Sequence, residues 1–296
     1  MGKLLVLGTR GSQLALTQSR WVANLITGHQ IDLKVIETAG DDLSISIFNP
    51  VIPGAFVNAL RAALLKGEVD FLVHSLKDLP SIPHPELTIA AIPIREDSRE
   101  VLVSTGNQLF VDLNPGSRIG TSSPRRSATI SRLNSELLPE PIRGNVDSRI
   151  EKVRSGEYDA VVLAAAGLAR ISRLNEVAQY FELDVFIPAP AQGALAVECR
   201  SDDRELISLL KELDDPLSRM TATAERAVLQ GLQAGCEIAI GATAQVDNGQ
   251  LTLTAELGGS LGIPSQKFSL SSAVRSDFDL VAAQALGLQL ADLFVR

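Results

Sequence analysis

The sequence predicts an α/β protein with two related domains that face each other across a cleft, followed by a small α+β domain. Short apolar runs alternate with amphipathic segments through about the first 200 residues, which is typical of strands alternating with helices. One order of motifs occurs twice, since Gly8-Thr9 and Gly67-Glu68-Val69-Asp70 correspond to Gly120-Thr121 and Gly156-Glu157-Tyr158-Asp159. Nearer the carboxyl end, alternating strands surround Asn248-Gly249, a strong hairpin signal.

The composition is that of a folded protein from a reducing compartment. The 296 residues are enough for two or three domains, and a hydrophobic content of 45% supplies their cores. A net charge of -8 argues against bulk attraction to nucleic acid or membranes. Two cysteines give no disulfide framework, the first residues do not resemble a signal peptide, and the apolar runs are too short to span a membrane. We therefore expect a cytoplasmic protein.

The first domain is predicted to comprise residues 1–94 and 194–214. Its strands are expected at 3–7, 31–36, 69–75, 87–92 and 194–199, and its helices at 13–26, 55–66 and 204–213. Ser12 is a favoured N-cap for the first helix.

The stretch from Val69 to Pro80 carries the functional argument. Its apolar first half reads as a buried strand, and it turns polar at Ser75, Lys77 and Asp78 before proline ends regular structure. Ligands of α/β proteins bind beyond the carboxyl ends of strands, so this is the right place for chemistry. Taken alone, a Lys-Asp pair is better explained as a solvated turn.

The second domain is predicted at 98–190 and the third at 216–296. In the second, a strand at 117–119 leads into a helix, and another strand follows at 160–166. The third contains a helix at 221–232, strands on both sides of Asn248-Gly249, and a closing helix at 278–294. We interpret Asp214-Asp215-Pro216 as a break between helices.

Residues 118–154 form a basic cluster, with eight basic and four acidic residues. Ser123 is a favoured N-cap and Pro124 a favoured first helical residue, which places Arg125 and Arg126 in the first turn. Cations are unfavourable there because that end of the helix dipole is positive. A bound phosphate or carboxylate explains them best, and an exposed basic face is the alternative.

The cysteines and histidines suggest one candidate thiol and no metal site. Cys199 lies in an apolar alternation typical of a core strand. Cys236 follows a helix end, where a thiol can act as a nucleophile or an attachment point, although a structural cysteine is the simpler interpretation. The histidines, at 29, 74 and 84, have no metal-ligand spacing.

Together these motifs resemble the hydroxymethylbilane synthase family, also called porphobilinogen deaminase, over essentially the whole chain. The motifs of the first domain are 10–15 with Gln18, and 73–80; those of the second are 120–126, 143–145 and 192–194; that of the third is 235–241. The resemblance implies two periplasmic-binding-protein-like α/β domains around a cleft and a cofactor-bearing α+β domain.

The resemblance implies a transferase of haem and other tetrapyrrole biosynthesis. Such an enzyme joins four porphobilinogen molecules, with loss of ammonia, into the linear tetrapyrrole hydroxymethylbilane. It implies a dipyrromethane cofactor held as a thioether on Cys236, and Asp78 as the catalytic carboxylate. Lys77 would orient that carboxylate or bind a substrate carboxylate. The partners expected of this enzyme are porphobilinogen and the growing oligopyrrole, bound by a monomer.

Every pyrrole carries an acetate and a propionate group, and polar residues of the motifs would bind these carboxylates. The resemblance implies that the cofactor or substrate is bound by Arg10, Ser12, Ser75, Lys77, Thr121, Ser122, Ser123, Arg125, Arg126, Arg143, Gly144, Arg149, Arg170 and Gln192.

The chain also departs from the family's pattern. Ala39 stands where a basic residue is common, the stretch 51–56 lacks a lysine, Ala191 replaces a glycine and Ala239 a proline. None of these departures changes Asp78, Cys236 or the paired arginines, so activity is still expected. Two alternatives stay open: a non-catalytic two-lobed module that binds a small anion, and an inactive relative with the same fold.

Overall fold

The computed structural model of this chain describes residues 2–37, 55–233, 238–259, 264–274 and 279–295, with the backbone alone at 55 and 56. Its strands are β1 (Leu4–Thr9), β2 (Gln30–Val35), β3 (Phe71–Ser75), β4 (Leu87–Ala91), β5 (Glu100–Ser104), β6 (Arg118–Gly120), β7 (Leu138–Glu140), β8 (Ala160–Ala164), β9 (Gln179–Tyr180), β10 (Leu195–Arg200), β11 (Ile240–Asp247), β12 (Gln250–Leu257) and β13 (Gln266–Ala273). Its α-helices are α1 (Gln13–Leu25), α2 (Ala55–Leu65), α3 (Pro124–Leu133), α4 (Val146–Arg154), α5 (Ala165–Arg170), α6 (Arg204–Lys211), α7 (Pro216–Gly231) and α8 (Leu280–Val295).

The chain divides into two compact units. One combines Met1–Arg95 with Ala194–Arg219, and the other combines Glu96–Gly193 with Met220–Arg296. The second unit contains both the predicted second domain and most of the predicted third. The exact domain boundaries expected from the sequence stay predictions.

The sheet of the first unit has the order β2-β1-β3-β10-β4. Strand β1 is parallel to β2 and β3, whereas β10 runs antiparallel to β3 and β4. The reversed strand comes from the later pass of the chain through this unit. Apolar side chains of the sheet, α1 and α6 form the main core, which includes Leu7, Val22, Phe71, Val197 and Leu210.

The larger sheet of the second unit repeats this plan. Its order is β7-β6-β8-β5-β9, with β6 parallel to β7 and β8, and β5 antiparallel to β8 and β9. The reversed strand again stands fourth, although here it precedes the others in sequence. The prediction of two related α/β domains is confirmed. Strand β5, which the sequence analysis did not predict, completes the match.

The repeated Gly-Glu-x-Asp motif has the same role in both sheets. Asp70, just before β3, donates its backbone N–H to Val6 O at 2.8 Å, and its Oδ2 accepts the Val6 N–H at 2.7 Å. Asp159, just before β8, makes the same two bonds with Arg118, at 3.0 and 2.7 Å. Each aspartate therefore fixes the register between two neighbouring parallel strands, β3 and β1 in the first sheet and β8 and β6 in the second.

The carboxyl-terminal part of the chain forms a three-stranded antiparallel sheet, β11-β12-β13, covered by α7 and α8. Asn248 and Gly249 connect the first two strands with φ values of 49° and 73°, as a two-residue hairpin loop requires. The predicted small α+β domain and its hairpin are thus confirmed.

The interpretation of Asp214-Asp215-Pro216 as a break between helices is confirmed, because Asp214 and Asp215 lie between α6 and α7. The start of α7 differs from the prediction, since the helix begins at Pro216, five residues earlier than expected. Asp215 Oδ1 accepts the N–H of Ser218 at 2.8 Å, and proline occupies the first helical position. The acidic residue that suggested a loop is therefore the helix cap.

Removing the Asp159 side chain tests the role of the repeated motif. We expect Asp159→Ala to lower the free energy of unfolding by about 1–2 kcal/mol, because the N–H of Arg118 loses its acceptor. Urea titration measures this loss. Glu157→Ala is the matched control, since Glu157 forms an exposed ion pair with Lys152 worth about 0–1 kcal/mol. Equal losses in the two variants would contradict the assignment.

Candidate active site

Asp78 lies on a short turn at the carboxyl end of β3. The strand continues into a 3₁₀ helix, Leu76–Asp78. Leu76 and Leu79 are 0% and 4% exposed, and the N–H of Leu79 donates to Leu76 O at 3.2 Å. Asp78 itself is exposed. Buried leucines thus anchor the turn while the carboxylate stays accessible to ligands.

Other predicted site residues of the first unit lie at the ends of the neighbouring parallel strands β1 and β3. Ser12 is the N-cap of α1, as predicted, and accepts a backbone N–H of the first turn at 3.3 Å. Gln18 of that helix is buried and its Nε2 donates to Ser75 Oγ at 3.1 Å. Arg10 and Lys77 are half-buried.

A buried charged group that sequence reasoning missed joins β3 to its neighbour β10. Glu198 of β10 is 2% exposed and receives Nε and Nη2 of Arg61 at 3.0 and 2.7 Å. His74 Nε2 lies 3.3 Å from the same carboxylate. Burial alone raises the pKa of Glu198, but His74 and Arg61 together hold it below its ordinary value. A glutamate within an otherwise apolar strand was the available signal, because a buried charge needs a partner.

The motif that precedes α3 forms the predicted helix start. Thr121 is buried and its N–H donates to Glu140 O at 2.7 Å. Ser122 Oγ donates to Ile142 O at 2.8 Å and accepts the N–H of that residue at 3.0 Å. Ser123 is the N-cap, and a proline occupies the first turn. These bonds fix the loop against the rest of the sheet.

The two arginines of this helix start share one buried glutamate. Glu100 of β5 is fully buried; its Oε1 accepts Arg125 Nη2, and its Oε2 accepts Arg126 Nη2 at 2.8 Å. Arg125 Nη1 also donates to Ile187 O at 2.8 Å. Burial lowers the pKa of Arg125. The anion expected from the dipole argument is thus supplied, at least in part, by the chain itself.

A third guanidinium lies close to this pair. Arg149 of α4 donates Nε to Gly144 O at 2.9 Å, and burial, together with the charge of Arg126, lowers its pKa to about 10. Gly144 has a φ of 112°, and a Cβ there would lie 2.0 Å from Ser148 Oγ, so only glycine fits. Arg143, just before it, is half-buried.

Arg170 and Gln192 lie at a second place in the same unit. Arg170 Nη2 donates to Gly193 O at 2.7 Å, and burial lowers the pKa of Arg170 to about 10, with Glu96 opposing the shift. Gln192 is fully buried and its Nε2 donates to Ser98 O at 2.9 Å. The residue before it, Ala191, has a φ of 62°, which explains why a glycine suits this position.

Cys236, between α7 and β11 in the sequence, lies outside the described residues. Ala39 and Pro53 also lie outside them. Cys199 is fully buried, and burial raises its pKa to about 12, so it is the core thiol that the sequence predicted. Among the described residues, no group of three His, Cys, Asp or Glu side chains has the geometry to hold a metal ion. Within the same residues, no helix is long and apolar enough to cross a membrane.

The donor set suits a ligand that carries several carboxylates. The guanidiniums of Arg125, Arg126 and Arg149 outnumber the buried carboxylate of Glu100. The nearby carboxylate of Glu256 is paired with Arg132, so a positive surplus remains. Guanidinium groups bind carboxylates through paired N–H donors. The residues present therefore fit a polycarboxylate cofactor such as a dipyrromethane.

The Arg61–Glu198–His74 group gives a prediction on pH. Because the pKa of Glu198 is lower in the folded protein, the stabilisation is present above its ordinary pKa and is lost as the pH falls below it. We expect Glu198→Gln to lose less stability than the wild type on going from about pH 5 to about pH 3, because the loss runs from the ordinary pKa of the carboxyl down to its lower folded value. Thermal unfolding across this range measures the difference. Parallel pH profiles of the two proteins would show that the group does not titrate as described.

The chain matches known proteins over nearly its full length. The family model described as porphobilinogen deaminase, dipyromethane cofactor binding domain, matches residues 5–208, and that of the porphobilinogen deaminase C-terminal domain matches residues 219–295. Porphobilinogen deaminase 1 of Streptomyces coelicolor is 48% identical over 98% of this chain and 94% of its own length. The porphobilinogen deaminase of Nocardia farcinica is 43% identical over 100% of this chain and 88% of its own. That of Mycobacterium leprae is 48% identical over 81% and 76%, respectively. The chain belongs to the porphobilinogen deaminase family.

Proposed function

We propose that this protein is a hydroxymethylbilane synthase, a transferase that joins four porphobilinogen molecules, with loss of ammonia, into a linear tetrapyrrole for haem and related pigments. The observation that carries the proposal is the match of both family models, which together span most of the chain. The exposed carboxylate of Asp78 at the carboxyl end of a central strand supports it.

Asp78 is proposed as the catalytic residue. Loss of ammonia from the aminomethyl carbon of porphobilinogen leaves a cation that is conjugated with the pyrrole nitrogen. A carboxylate beside that nitrogen stabilises the cation, and it also takes up the proton that the attacked pyrrole carbon releases. Lys77, the preceding residue on the same turn, orients the carboxylate or binds a substrate carboxylate.

Cys236 is proposed to hold the dipyrromethane as a thioether. When bound, this group supplies the pyrrole carbon to which the next unit is joined. The donors proposed to bind its carboxylates and those of the growing chain include Arg125, Arg126 and Arg149, held on α3 and α4. Thr121, Ser122 and Ser123 precede the same helix start, and Arg143 and Gly144 precede α4.

Arg10, Ser12 and Ser75 are proposed to bind the substrate near Asp78, at the neighbouring strand ends of the first unit. Arg170 and Gln192 are proposed to contribute from the second. We propose a monomer that acts in the cytoplasm, which the lack of a disulfide framework favours.

The alternative is a non-catalytic module that binds a small anion. Its helix-start sites account for Arg10 and Arg125 equally well, but it has no use for Asp78 or Cys236. The match to a cofactor-binding family model favours the enzyme over this module.

Intact mass separates the enzyme from both alternatives. The purified wild type is expected to be heavier than its sequence by two pyrrole units. Cys236→Ala should lose this mass because the thioether has no sulfur to form on. Cys199→Ala is the matched control and should keep it, since that thiol is buried in the first sheet. A wild type that carries no pyrrole and cannot use porphobilinogen after the primer is supplied would overturn the proposal.

Substitution of the catalytic candidate gives a second test. We expect Asp78→Asn to reduce kcat on the order of a hundredfold or more, the scale of an acid–base group. The melting temperature should change little because the side chain is exposed. Asp112→Asn is the control, since Asp112 is exposed and also ends a 3₁₀ helix, Phe110–Asp112. Comparable kcat values for the two variants would exclude the proposed role of Asp78.

A further inference from the structure

A buried carboxylate of α7 joins two separate parts of the second unit. Glu225 is 0% exposed, and each of its oxygens accepts a backbone N–H. Oε2 accepts the N–H of Ala191 at 2.6 Å, and Oε1 accepts that of Ala244, in β11, at 2.8 Å. The side chain therefore fixes α7 to β11 on one side and to residues 187–193 on the other. We call residues 187–193 the connecting segment.

The connecting segment is also held by groups that belong to the candidate site. Arg125 Nη1 donates to Ile187 O at 2.8 Å, and Arg170 Nη2 donates to Gly193 O at 2.7 Å. The N–H of Ala242 donates to Pro188 O at 3.0 Å, which adds a second tie to β11. The segment is thus the common partner of two proposed substrate-binding arginines and of the strand that follows Cys236.

The conformation of the segment needs support at one position. Ala191 has a φ of 62°, in the left-handed region that residues with a Cβ rarely adopt. Its N–H bond to Glu225 is made in this conformation, and its side chain is fully buried. Such backbone strain persists only where surrounding contacts determine it.

Gly193 adds a tight contact two residues later. Its φ is 88°, and a Cβ there would lie 2.3 Å from Glu96 O. The main chain is therefore held from Ala191 to Gly193 with little freedom. Gly193 O accepts both Arg170 Nη2 and, at 3.3 Å, the N–H of Glu96. Because a single residue separates Ala191 from Gly193, we expect a shift at Ala191 to disturb this carbonyl.

We propose that Glu225 is a positioning residue for substrate binding. It holds Ala191 in place, so that Gly193 O keeps the Arg170 guanidinium where it binds a substrate carboxylate. Through Ala244 the same carboxylate fixes β11 to α7, the two elements on either side of Cys236. This inference rests on the proposed function, in which Arg170 binds substrate.

The experiment compares Glu225→Gln, Arg170→Met and the double variant. Glutamine keeps the shape of the side chain, but its NH₂ group faces a backbone N–H and one of the two bonds is lost. We expect the KM for porphobilinogen to rise about fivefold or more, as for loss of one hydrogen bond, with kcat within about threefold of the wild type. In the Arg170→Met background, Glu225→Gln should have little further effect on KM.

Hydrogen exchange gives a readout that does not depend on activity. Amide protection at Ala191 and Ala244 should fall in Glu225→Gln. Leu253→Val is the matched control, because it removes a methylene from the core at β12, opposite Ala244, and changes neither Glu225 nor the two residues whose N–H groups Glu225 accepts. It should lower the melting temperature while leaving the KM and the protection at Ala191 unchanged. If Glu225→Gln does not fold, Glu225→Asp keeps the charge on a shorter side chain and replaces it in every arm.

Two results would overturn the inference. One is an increase in KM from Glu225→Gln that is as large in the Arg170→Met background as in the wild type, which would mean that the two residues act independently. The other is an equal KM change in Leu253→Val, which would show that lost stability alone is responsible. Failure of the proposed function is seen separately, as a wild type that does not consume porphobilinogen even though exchange confirms the bonds of Glu225.

Discussion

A carboxylate removed from water must be met by donors, and this requirement shapes each part of the structure. Glu198, in β10, is paired with Arg61 and lies beside His74 of β3. Glu100 accepts hydrogen bonds from two arginines at the start of α3, and Glu225 accepts two backbone N–H groups. An unpaired buried charge is costly, so each of these glutamates determines where its partners lie. Several of these partners lie on elements that carry or flank the proposed site, among them β3, α3 and β11.

The pairing at Glu100 has a particular consequence for the arginines. A guanidinium on a free side chain loses considerable rotamer entropy when it binds a ligand. Arg125 and Arg126 are already fixed in the folded protein, and one carboxylate does not neutralise two cations. Their surplus charge is therefore preorganised for an anionic ligand, in agreement with the donor chemistry that a polycarboxylate requires.

The sequence predicted what local rules determine. Ser12 and Ser123 were recognised as helix caps, Asn248-Gly249 as a hairpin, and the Gly-Glu-x-Asp repeat as a sign of two related domains. The partners of the buried charges were missed because they lie far apart in the chain: Arg61 is separated from Glu198 by 137 residues. Glu100 was missed for a second reason, since the short strand β5 that carries it was not predicted.

The reversed strand in each sheet fixes the order in which the domains can be completed during translation. The second domain has its reversed strand, β5, ahead of its other strands, so its sheet is complete once residue 180 has left the ribosome. The first domain lacks β10 until residue 200 has emerged, although its own strands were made first. On the nascent chain, the edge of β3 that later pairs with β10 therefore stays unpaired while the second domain folds. The strand that leads to Asp78 is among the last parts of its sheet to be covered.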